Sequence, residues 1–388
     1  MTANVTSIAG LRAAARVKAE SLRVNNRAAT TLLVLCVVLV VIGLGATQSA
    51  SSAVGIDQAE DRFFFFKRQL IGVGVGTVAL LVASRVPYRF YRKLALPGFI
   101  LTIGMLIATL MMGRVIGGAQ RWLPLPGLPS FQPSEIAKVT VVFMLAYLLE
   151  RKHKLLRRLG HFVVPVIFVV GTVTALVMKQ PDLGTVVVIG AAAMAVILAS
   201  DAPMRWVALI GLISVSATAF LAFSDKYRAD RIVGFLDPWG NSSGEGYQLI
   251  QGYYALSNGG VFGVGLGASR ARWFYLPNAH TDFIFAIIGE ETGLIGALTV
   301  IGLFVALAVA GWLVAVRAQD RFGTMVAAGL TTWLSIQALV NIGGVLGVIP
   351  ITGIALPFVS YGSTALVVSM AALGVLVNIA QSGSQPGK

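Results

Sequence analysis

The sequence predicts an all-α polytopic membrane protein with ten transmembrane helices, because of its composition and its repeated apolar runs. Of the 388 residues, 56% are hydrophobic and only 12% are charged, and the mean hydropathy is +0.82. A soluble domain carries about 25% charged residues. Runs of about 18 or more apolar residues recur along the chain, and each is long enough to cross a bilayer as a helix. The net charge of +14 suits the Lys- and Arg-rich cytoplasmic loops of membrane proteins, so no nucleic-acid partner is expected.

The ten spans lie between a basic N-terminal segment and a short tail. Residues 1–27 form the basic segment, 28–379 the membrane domain with a large outer loop at 224–282, and 380–388 the tail. The eighth span is too long to cross the membrane straight, so its first turns should protrude or tilt. The predicted spans are 28–47, 69–86, 95–112, 134–149, 161–178, 184–200, 206–223, 283–315, 324–346 and 357–379.

The distribution of Lys and Arg predicts the orientation of the chain in a plasma membrane. With the N-terminus inside, the inner segments hold 18 of these residues and the outer segments 11. This bias supports cytoplasmic positions for both termini. Five of the outer cations lie in the long loop 224–282. Either they are tolerated because the charge bias weakens in loops of about 60 residues, or they meet an anion on the outer face.

The stretch 275–291, YLPNAHTDFIFAIIGEE, carries the most unusual set of polar residues. His280, Thr281 and Asp282 stand directly before an apolar run, and Glu290 and Glu291 lie inside that run. Ionisable groups at the mouth of a membrane helix are costly, so they indicate a functional site. The two glutamates are either structural or line a cavity.

Two further groups of residues leave alternatives open. Glu135 and Lys138 share one face of the fourth span at i, i+3, where they form either an internal ion pair that fixes packing or part of a polar cavity. His280 is either a metal ligand, a base or an orienting hydrogen-bond partner. The chain has only three histidines and no Cys/His spacing for zinc, which favours the last role. No Walker A or dinucleotide-binding glycine motif is present, so nucleotide-driven chemistry is not expected.

Two segments outside the spans also have predicted structures. Residues 349–363, IPITGIALPFVSYGS, are too polar and too rich in Pro and Gly to lie in lipid. Such backbone is tolerated at membrane depth only inside the protein, so the segment should re-enter the interior. Residues 246–256, GYQLIQGYYAL, predict a short interfacial helix in the long outer loop.

Several motifs in a fixed order resemble the SEDS family (shape, elongation, division and sporulation), that is, the FtsW and RodA proteins. The longest is 263–291, GVGLGASRARWFYLPNAHTDFIFAIIGEE, and its approach is more similar to FtsW than to RodA. The others are SASS at 49–52, KRQL at 67–70, GGAQRW at 117–122, QPSEIAK at 132–138, QPDLGT at 180–185, GFLDP at 234–238 and PITGIALPFVSYGS at 350–363.

The resemblance implies a bacterial peptidoglycan glycosyltransferase with the ten-span SEDS fold. Such an enzyme would polymerise lipid II, an undecaprenyl-diphosphate-linked disaccharide peptide, at the outer face of the plasma membrane during septal wall synthesis. The implied partners are a class B penicillin-binding protein that crosslinks the strands and other division proteins. The alternatives are a lipid II flippase, a RodA-like elongation polymerase and a structural scaffold for division. The concentration of polar residues on the predicted outer side favours an enzyme.

The resemblance also implies roles for individual residues. Asp282 matches the family's catalytic aspartate and would act as general base. Lys138, Arg231, Arg270 and Arg272 are candidates for diphosphate binding, since cations grip phosphate oxygens. Glu135 would hold Lys138 or contact substrate, and His280 and Thr281 complete the candidate substrate-binding set. No metal ligand and no cofactor is assigned, but assistance by a divalent cation, Mg²⁺ or Mn²⁺, is left open.

Overall fold

A computed structural model describes residues 8–116, 119–124, 130–224, 226–244, 246–273 and 275–382. Within these ranges the chain folds into a bundle of α-helices with one short antiparallel hairpin. The first residues of the predicted basic segment (1–7) and most of the predicted tail (383–388) lie outside the described residues.

Each predicted span overlaps a helix of the structure. The hairpin pairs β1 with β2 between the third and fourth helices. Short 3₁₀ turns lie at Tyr88–Phe90 and His153–Leu155, and a π turn at Ile167–Gly171 joins α5 to α6. The elements are α1 (Ile8–Ala59), α2 (Phe64–Arg85), α3 (Tyr91–Met112), β1 (Arg114–Ile116), β2 (Ala119–Trp122), α4 (Pro133–Arg151), α5 (Leu159–Val166), α6 (Thr172–Met178), α7 (Leu183–Leu198), α8 (Met204–Phe223), α9 (Lys226–Leu236), α10 (Tyr247–Gly259), α11 (Ile284–Val316), α12 (Arg321–Val345) and α13 (Ser363–Ser382).

The all-α, multi-span fold is confirmed, whereas the count of ten spans stays a prediction. In the described part of the chain, eight helical segments are long and apolar enough to cross a membrane. They are α1 from Arg27 onward, α2, α3 with its preceding turn, α5 to α6, α8, α11, α12 and α13. The other two predicted spans coincide with α4 and α7, which are not among these eight segments. Helix α4 contains the charged residues Glu135 and Lys138, and α7 has only 16 residues.

Helix α12 is the centre of the bundle. The protein buries 78% of its most apolar window, against 11% for α8, which therefore presents most of its surface to lipid. The main neighbours of α12 are α4, α7, α11 and α13. Because side chains on α12 reach several helices at once, polar residues on this helix can join otherwise separate parts of the molecule.

The segment between α12 and α13 enters the interior, as predicted. Leu356, Phe358 and Val359 are buried in it. The predicted start of the last span at 357 was wrong, because α13 begins at Ser363. The reason is a tight turn, in which the Val359 amide donates to the Leu356 carbonyl at 3.2 Å and Phe358 adopts a φ of +65°.

Helix α11 is divided near its N-terminus, and the predicted protrusion or tilt of its first turns stays a prediction. Gly293 has φ 67° and ψ −165°, a conformation that only glycine adopts readily. The backbone groups freed by this break bond to the glycine-rich loop 260–265 instead of to each other, so none of the four is left unpaired. The amides of Val264 and Gly265 donate to the carbonyls of Glu290 and Glu291, and those of Leu294 and Ile295 donate to the carbonyls of Gly260 and Val261.

Candidate active site

Asp282 lies in the loop that leads into α11 and is half-buried. The Thr281 hydroxyl donates to Asp282 Oδ1 at 2.8 Å. Asn341 Nδ2, on α12, donates to the Asp282 main-chain carbonyl at 2.8 Å and to the Ile354 carbonyl at 2.7 Å. Asn341 therefore ties the aspartate to the re-entrant segment. The small pocket at this point is lined by Asp282, Phe283, Val340, Asn341, Gly344, Val345, Ile351, Thr352, Gly353 and Ile354.

The surroundings of Asp282 alter its acidity. Burial raises the pKa of its carboxyl above the ordinary value. The Thr281 hydrogen bond and the positive charges of Arg231 and Arg121 act in the opposite direction and lower it. Because a general base works best when its pKa approaches the operating pH, burial makes this aspartate a better base than a solvent-exposed one.

Glu135 and Lys138 form the predicted pair in the first turns of α4, and both are buried. Lys138 Nζ donates to Glu135 Oε1 at 2.7 Å and to Gln337 Oε1, on α12, also at 2.7 Å. The ammonium group also lies 5.2 Å from the Trp333 ring centroid. In the described part of the chain Glu135 Oε2 has no hydrogen-bond partner, so this carboxylate retains a free acceptor.

A polar face of α12, Trp333, Gln337 and Asn341, connects the Lys138 pair to the Asp282 loop. The Gln337 oxygen accepts from Trp333 Nε1 at 2.7 Å, and its nitrogen donates to the Ala355 carbonyl at 2.9 Å. The sequence analysis missed these residues. Their i, i+4, i+8 spacing within an apolar helix was the available signal, since polar groups at membrane depth usually face the interior.

Two arginines on other elements lower the pKa of Asp282 through their positive charge. Arg231, on α9, is half-buried and lines a small pocket with Gln248 and Ile351. Its predicted role in diphosphate binding stays a prediction. Arg121, on β2, was not predicted. Its guanidinium donates to the Gln180 carbonyl at 3.1 Å and to the Pro181 carbonyl, and no sequence signal beyond the matching GGAQRW motif distinguished it.

His280 packs between aromatic rings. Its ring centroid lies 4.9 Å from that of Phe65 and 5.6 Å from that of Tyr361. Burial lowers the pKa of His280 to about 4, so the ring is neutral at pH 7. Its Nδ1 has no partner among the described groups. No cluster of three or more His, Cys, Asp or Glu occurs in the described ranges.

A second polar cluster lies further along α11. Glu290 accepts from the Ser269 hydroxyl at 2.5 Å and from the amides of Arg270 and Ala271 at 3.1 and 3.3 Å. Glu291 accepts from the Ser49 hydroxyl, on α1, and from the Ser269 amide at 3.4 Å. These bonds hold the loop 264–273 against α1 and α11.

Two of the predicted diphosphate ligands belong to this second cluster. Arg272 is half-buried, and its Nη1 donates to the Ser49 hydroxyl at 3.3 Å. The Arg270 side chain is exposed. Neither has a contact with Asp282 among the described interactions. The structure thus brings Asp282, Thr281 and His280 together, reaches Glu135 and Lys138 through α12, and separates Arg270 and Arg272 from them.

Comparison with known proteins shows similarity along nearly the whole chain. A family model described as a cell cycle protein, FtsW/RodA/SpoVE, matches residues 30–385. A probable peptidoglycan glycosyltransferase FtsW from Geobacter sp. (strain M18) is 37% identical over 90% of this chain and 95% of its own length. Stage V sporulation protein E from Bacillus subtilis (strain 168) is 38% identical over 90% of this chain and 96% of its own length.

Solved structures show the same architecture. A chain from a study of polymerization and crosslinking by a peptidoglycan synthase complex has 26% identity and a TM-score of 0.74, covering 92% of this chain and 98% of that one. The rod shape determining protein RodA of Thermus thermophilus has 25% identity and a TM-score of 0.69, covering 92% of this chain and 97% of its own. The chain belongs to the FtsW, RodA and SpoVE family of cell cycle proteins.

Proposed function

We propose that this chain is a peptidoglycan glycosyltransferase that polymerises lipid II into glycan strands during septal wall synthesis. The observation that carries the proposal is Asp282, a half-buried carboxyl with a raised pKa at the mouth of α11. Its main chain is fixed by Asn341. Similarity to proteins named as probable peptidoglycan glycosyltransferases supports the reaction class.

In the proposed reaction Asp282 takes the proton from a hydroxyl of the acceptor sugar as that oxygen attacks the anomeric carbon of the donor. The new C–O bond forms while the bond between the anomeric carbon and the diphosphate breaks. The electron pair leaves on undecaprenyl diphosphate, whose negative charge nearby cations stabilise.

Arg231 and Lys138 suit this second task best. Arg231 is close enough to influence the pKa of Asp282. Lys138 Nζ uses two of its three donors on Glu135 and Gln337 and is buried, so it would act on the diphosphate through its charge. Glu135 then positions the ammonium group.

The arrangement favours an enzyme over a flippase. A transporter needs a binding site that opens to both membrane faces. The polar contacts around Asp282 and Lys138 lie at the N-terminal ends of α4 and α11 and in the C-terminal half of α12. Because α11 and α12 are consecutive antiparallel helices, these positions lie on one side of the bundle, as a site for a substrate in one leaflet requires.

A class B penicillin-binding protein is the partner we propose for crosslinking. Support comes from the similarity to a chain of a peptidoglycan synthase complex that coordinates polymerization with crosslinking. We assign the septal rather than the elongation role because the FtsW relatives show higher identity than the RodA structures.

Reconstitution tests the function directly. The purified protein, alone and with a cognate class B penicillin-binding protein, is supplied with lipid II, and glycan strands are separated on a gel. We expect strands from the wild type and none from Asp282→Ala. Failure of the wild type to form strands under both conditions, with correctly folded protein, would contradict the proposal.

A labelling experiment tests the outer-face position of the site. Both probes are placed at exposed residues in a Cys36→Ser background. Ser242→Cys, in the long loop, should react with an impermeant thiol reagent in intact spheroplasts. Lys154→Cys, in the loop after α4, should react only after the membrane is opened. The reverse pattern would place Asp282 in the cytoplasm and rule out outer-face polymerisation.

A further inference from the structure

A groove of about 710 Å³ runs between α1 and the loop 264–273 that precedes α11. The polarity of the groove changes along its length. The end near Val41 and Ile42 is apolar, whereas the other end carries Arg62 and Arg272. A groove with this polarity suits an amphiphile that has a long apolar chain and an anionic headgroup.

The length of α1 indicates how this groove lies in the membrane. The apolar part of α1, Arg27–Ala59, has 33 residues, or about 50 Å at 1.5 Å per residue. The hydrocarbon core is about 30 Å thick, so the end of α1 extends beyond it. This end packs against the start of α11, and the groove therefore rises from the hydrocarbon to headgroup level on the same face as Asp282.

The polar end of the groove contains hydrogen-bonding groups that the protein does not satisfy. Arg272 Nε and Gln48 Oε1 are buried and have no partner in the part of the chain that the structure describes. An unpaired buried polar group is costly. A bound phosphate would supply an acceptor to Arg272, and a sugar hydroxyl would supply a donor to Gln48.

Glu291 also lines the groove and would repel a phosphate if its charge were unopposed. Its Oε1 already accepts from the Ser49 hydroxyl and the Ser269 amide. Ser49 in turn accepts from Arg272 Nη1 at 3.3 Å. The carboxylate thus helps to hold the Arg272 side chain at the groove, and Arg62 adds a second exposed cation at the same end.

We propose that this groove binds a polyprenyl-diphosphate-linked sugar, as a second lipid site beside the Asp282 pocket. The prenyl chain lies along the Val41 end and the diphosphate contacts Arg62 and Arg272. This assignment rests on the proposed function, since polymerisation joins two lipid-linked molecules. A phospholipid fits less well because it carries a single phosphate and no sugar next to it.

The chain offers a substitution that fills the groove and a matched control. A side chain added at Gly45, which lines the groove, meets no atom within 4 Å of its Cβ. The same is true of Gly104, which is equally exposed on α3 but does not line the groove. Gly45→Leu should therefore block the groove, and Gly104→Leu should change only the lipid-facing surface. Arg272→Gln and Arg62→Gln remove the two cations.

Native mass spectrometry of the full-length protein in detergent tests the proposal. Undecaprenyl diphosphate is the probe, and undecaprenol and phosphatidylglycerol are the comparisons. We expect two undecaprenyl diphosphate adducts on the wild type. We also expect the second adduct to weaken on the order of tenfold in three variants, because Gly45→Leu fills the groove and because Arg272→Gln and Arg62→Gln each lose a charge-assisted contact. Gly104→Leu should keep both.

Three results would overturn the proposal. They are a second adduct that persists in Gly45→Leu and Arg62→Gln, one that is lost equally in Gly104→Leu, and one that undecaprenol or phosphatidylglycerol forms as well. Binding is measured without polymerisation, so the two proposals fail separately. A protein that holds two diphosphate lipids but makes no glycan contradicts the proposed function alone, whereas an active polymerase with unaltered adducts contradicts only the second lipid site.

Discussion

Asp282 stands just before α11, and Glu290 and Glu291 lie eight and nine residues further along, inside that helix. The surroundings of Asp282 and Glu290 differ. The carboxylate of Asp282 receives one side-chain hydrogen bond, from Thr281, and the rest of its support goes to its main chain through Asn341. Glu290 receives three hydrogen bonds from loop 269–271. Among the described contacts, the Asp282 carboxylate therefore keeps more acceptor capacity than the Glu290 carboxylate, which uses three of about four lone-pair sites.

The contrast separates a reactive acid from an anchoring one. A carboxylate whose oxygens already accept three hydrogen bonds has few acceptor positions left for a substrate hydroxyl. Burial with few donors raises the pKa, as it does for Asp282. Under the proposed function, a carboxylate serves catalysis at Asp282, whereas a carboxylate anchors a loop at Glu290.

Replacing Asp282 should have the largest effect on activity. Asp282→Ala and the isosteric Asp282→Asn should lower lipid II polymerisation by about 10²–10⁴-fold, the usual contribution of a general base. Both should leave membrane insertion and the melting temperature close to wild type, because the Asn341 contact is to the main chain. Near-normal strand formation by either variant would remove Asp282 from the catalytic role.

The Glu135–Lys138 pair tests whether the carboxylate at the start of α4 resembles Asp282 or the anchoring Glu290. Glu135→Gln or Lys138→Met leaves one buried charge unpaired, which costs about 3–5 kcal/mol. The double variant removes both charges and should be less destabilised than the sum of the single variants. Thermal unfolding of all four proteins measures the coupling. Strictly additive effects would show that the 2.7 Å contact contributes no interaction energy.

Much of the fold was predictable from the sequence, because a membrane restricts spanning segments to long apolar helices. Helix α8, for example, begins at Met204 and ends at Phe223, within two residues of the prediction. The divided α11 was predictable only as a tilt, since its break depends on hydrogen bonds to the loop 260–265, far away in sequence. The late start of α13 was missed because the turn at 356–360 is itself apolar.

The site was predictable where neighbours lie close in sequence and unpredictable where the fold supplies them. The pairing of Glu135 with Lys138 follows from one helical turn. Gln337 and Asn341 follow Asp282 by more than fifty residues, on another helix, and no local pattern connects them to it. In sequence, Arg270 and Arg272 resemble ligands for the diphosphate at Asp282, whereas the fold joins Arg272 to Ser49 at the groove beside α1.

Glu290→Gln should affect stability more than chemistry. The substitution leaves an amide group facing three donors, and a buried unsatisfied donor costs about 1–3 kcal/mol. We expect a lower melting temperature, while polymerisation per folded molecule stays within a few-fold of wild type. Asp57→Asn, at an exposed acid near the end of α1, is the control and should change neither. Loss of activity at an unchanged melting temperature would assign Glu290 to the reaction.

Besides the loss of rate expected for a residue that stabilises the departing diphosphate, Arg231→Gln should displace the pH profile, and this displacement is the smallest of the predicted effects. Activity that needs ionised Asp282 is present above its pKa and is lost as the pH falls through it. Because burial raises this pKa, the acid limb should lie above that of an unperturbed aspartate, about 3.9. The positive charge of Arg231 lowers the same pKa, so its removal should move the limb to still higher pH. The rate of lipid II polymerisation measured across pH, with Arg205→Gln on the opposite predicted face as control, distinguishes this shift from a uniform loss of rate. A limb that stays in place while the whole profile falls would show that Arg231 binds substrate without acting on Asp282.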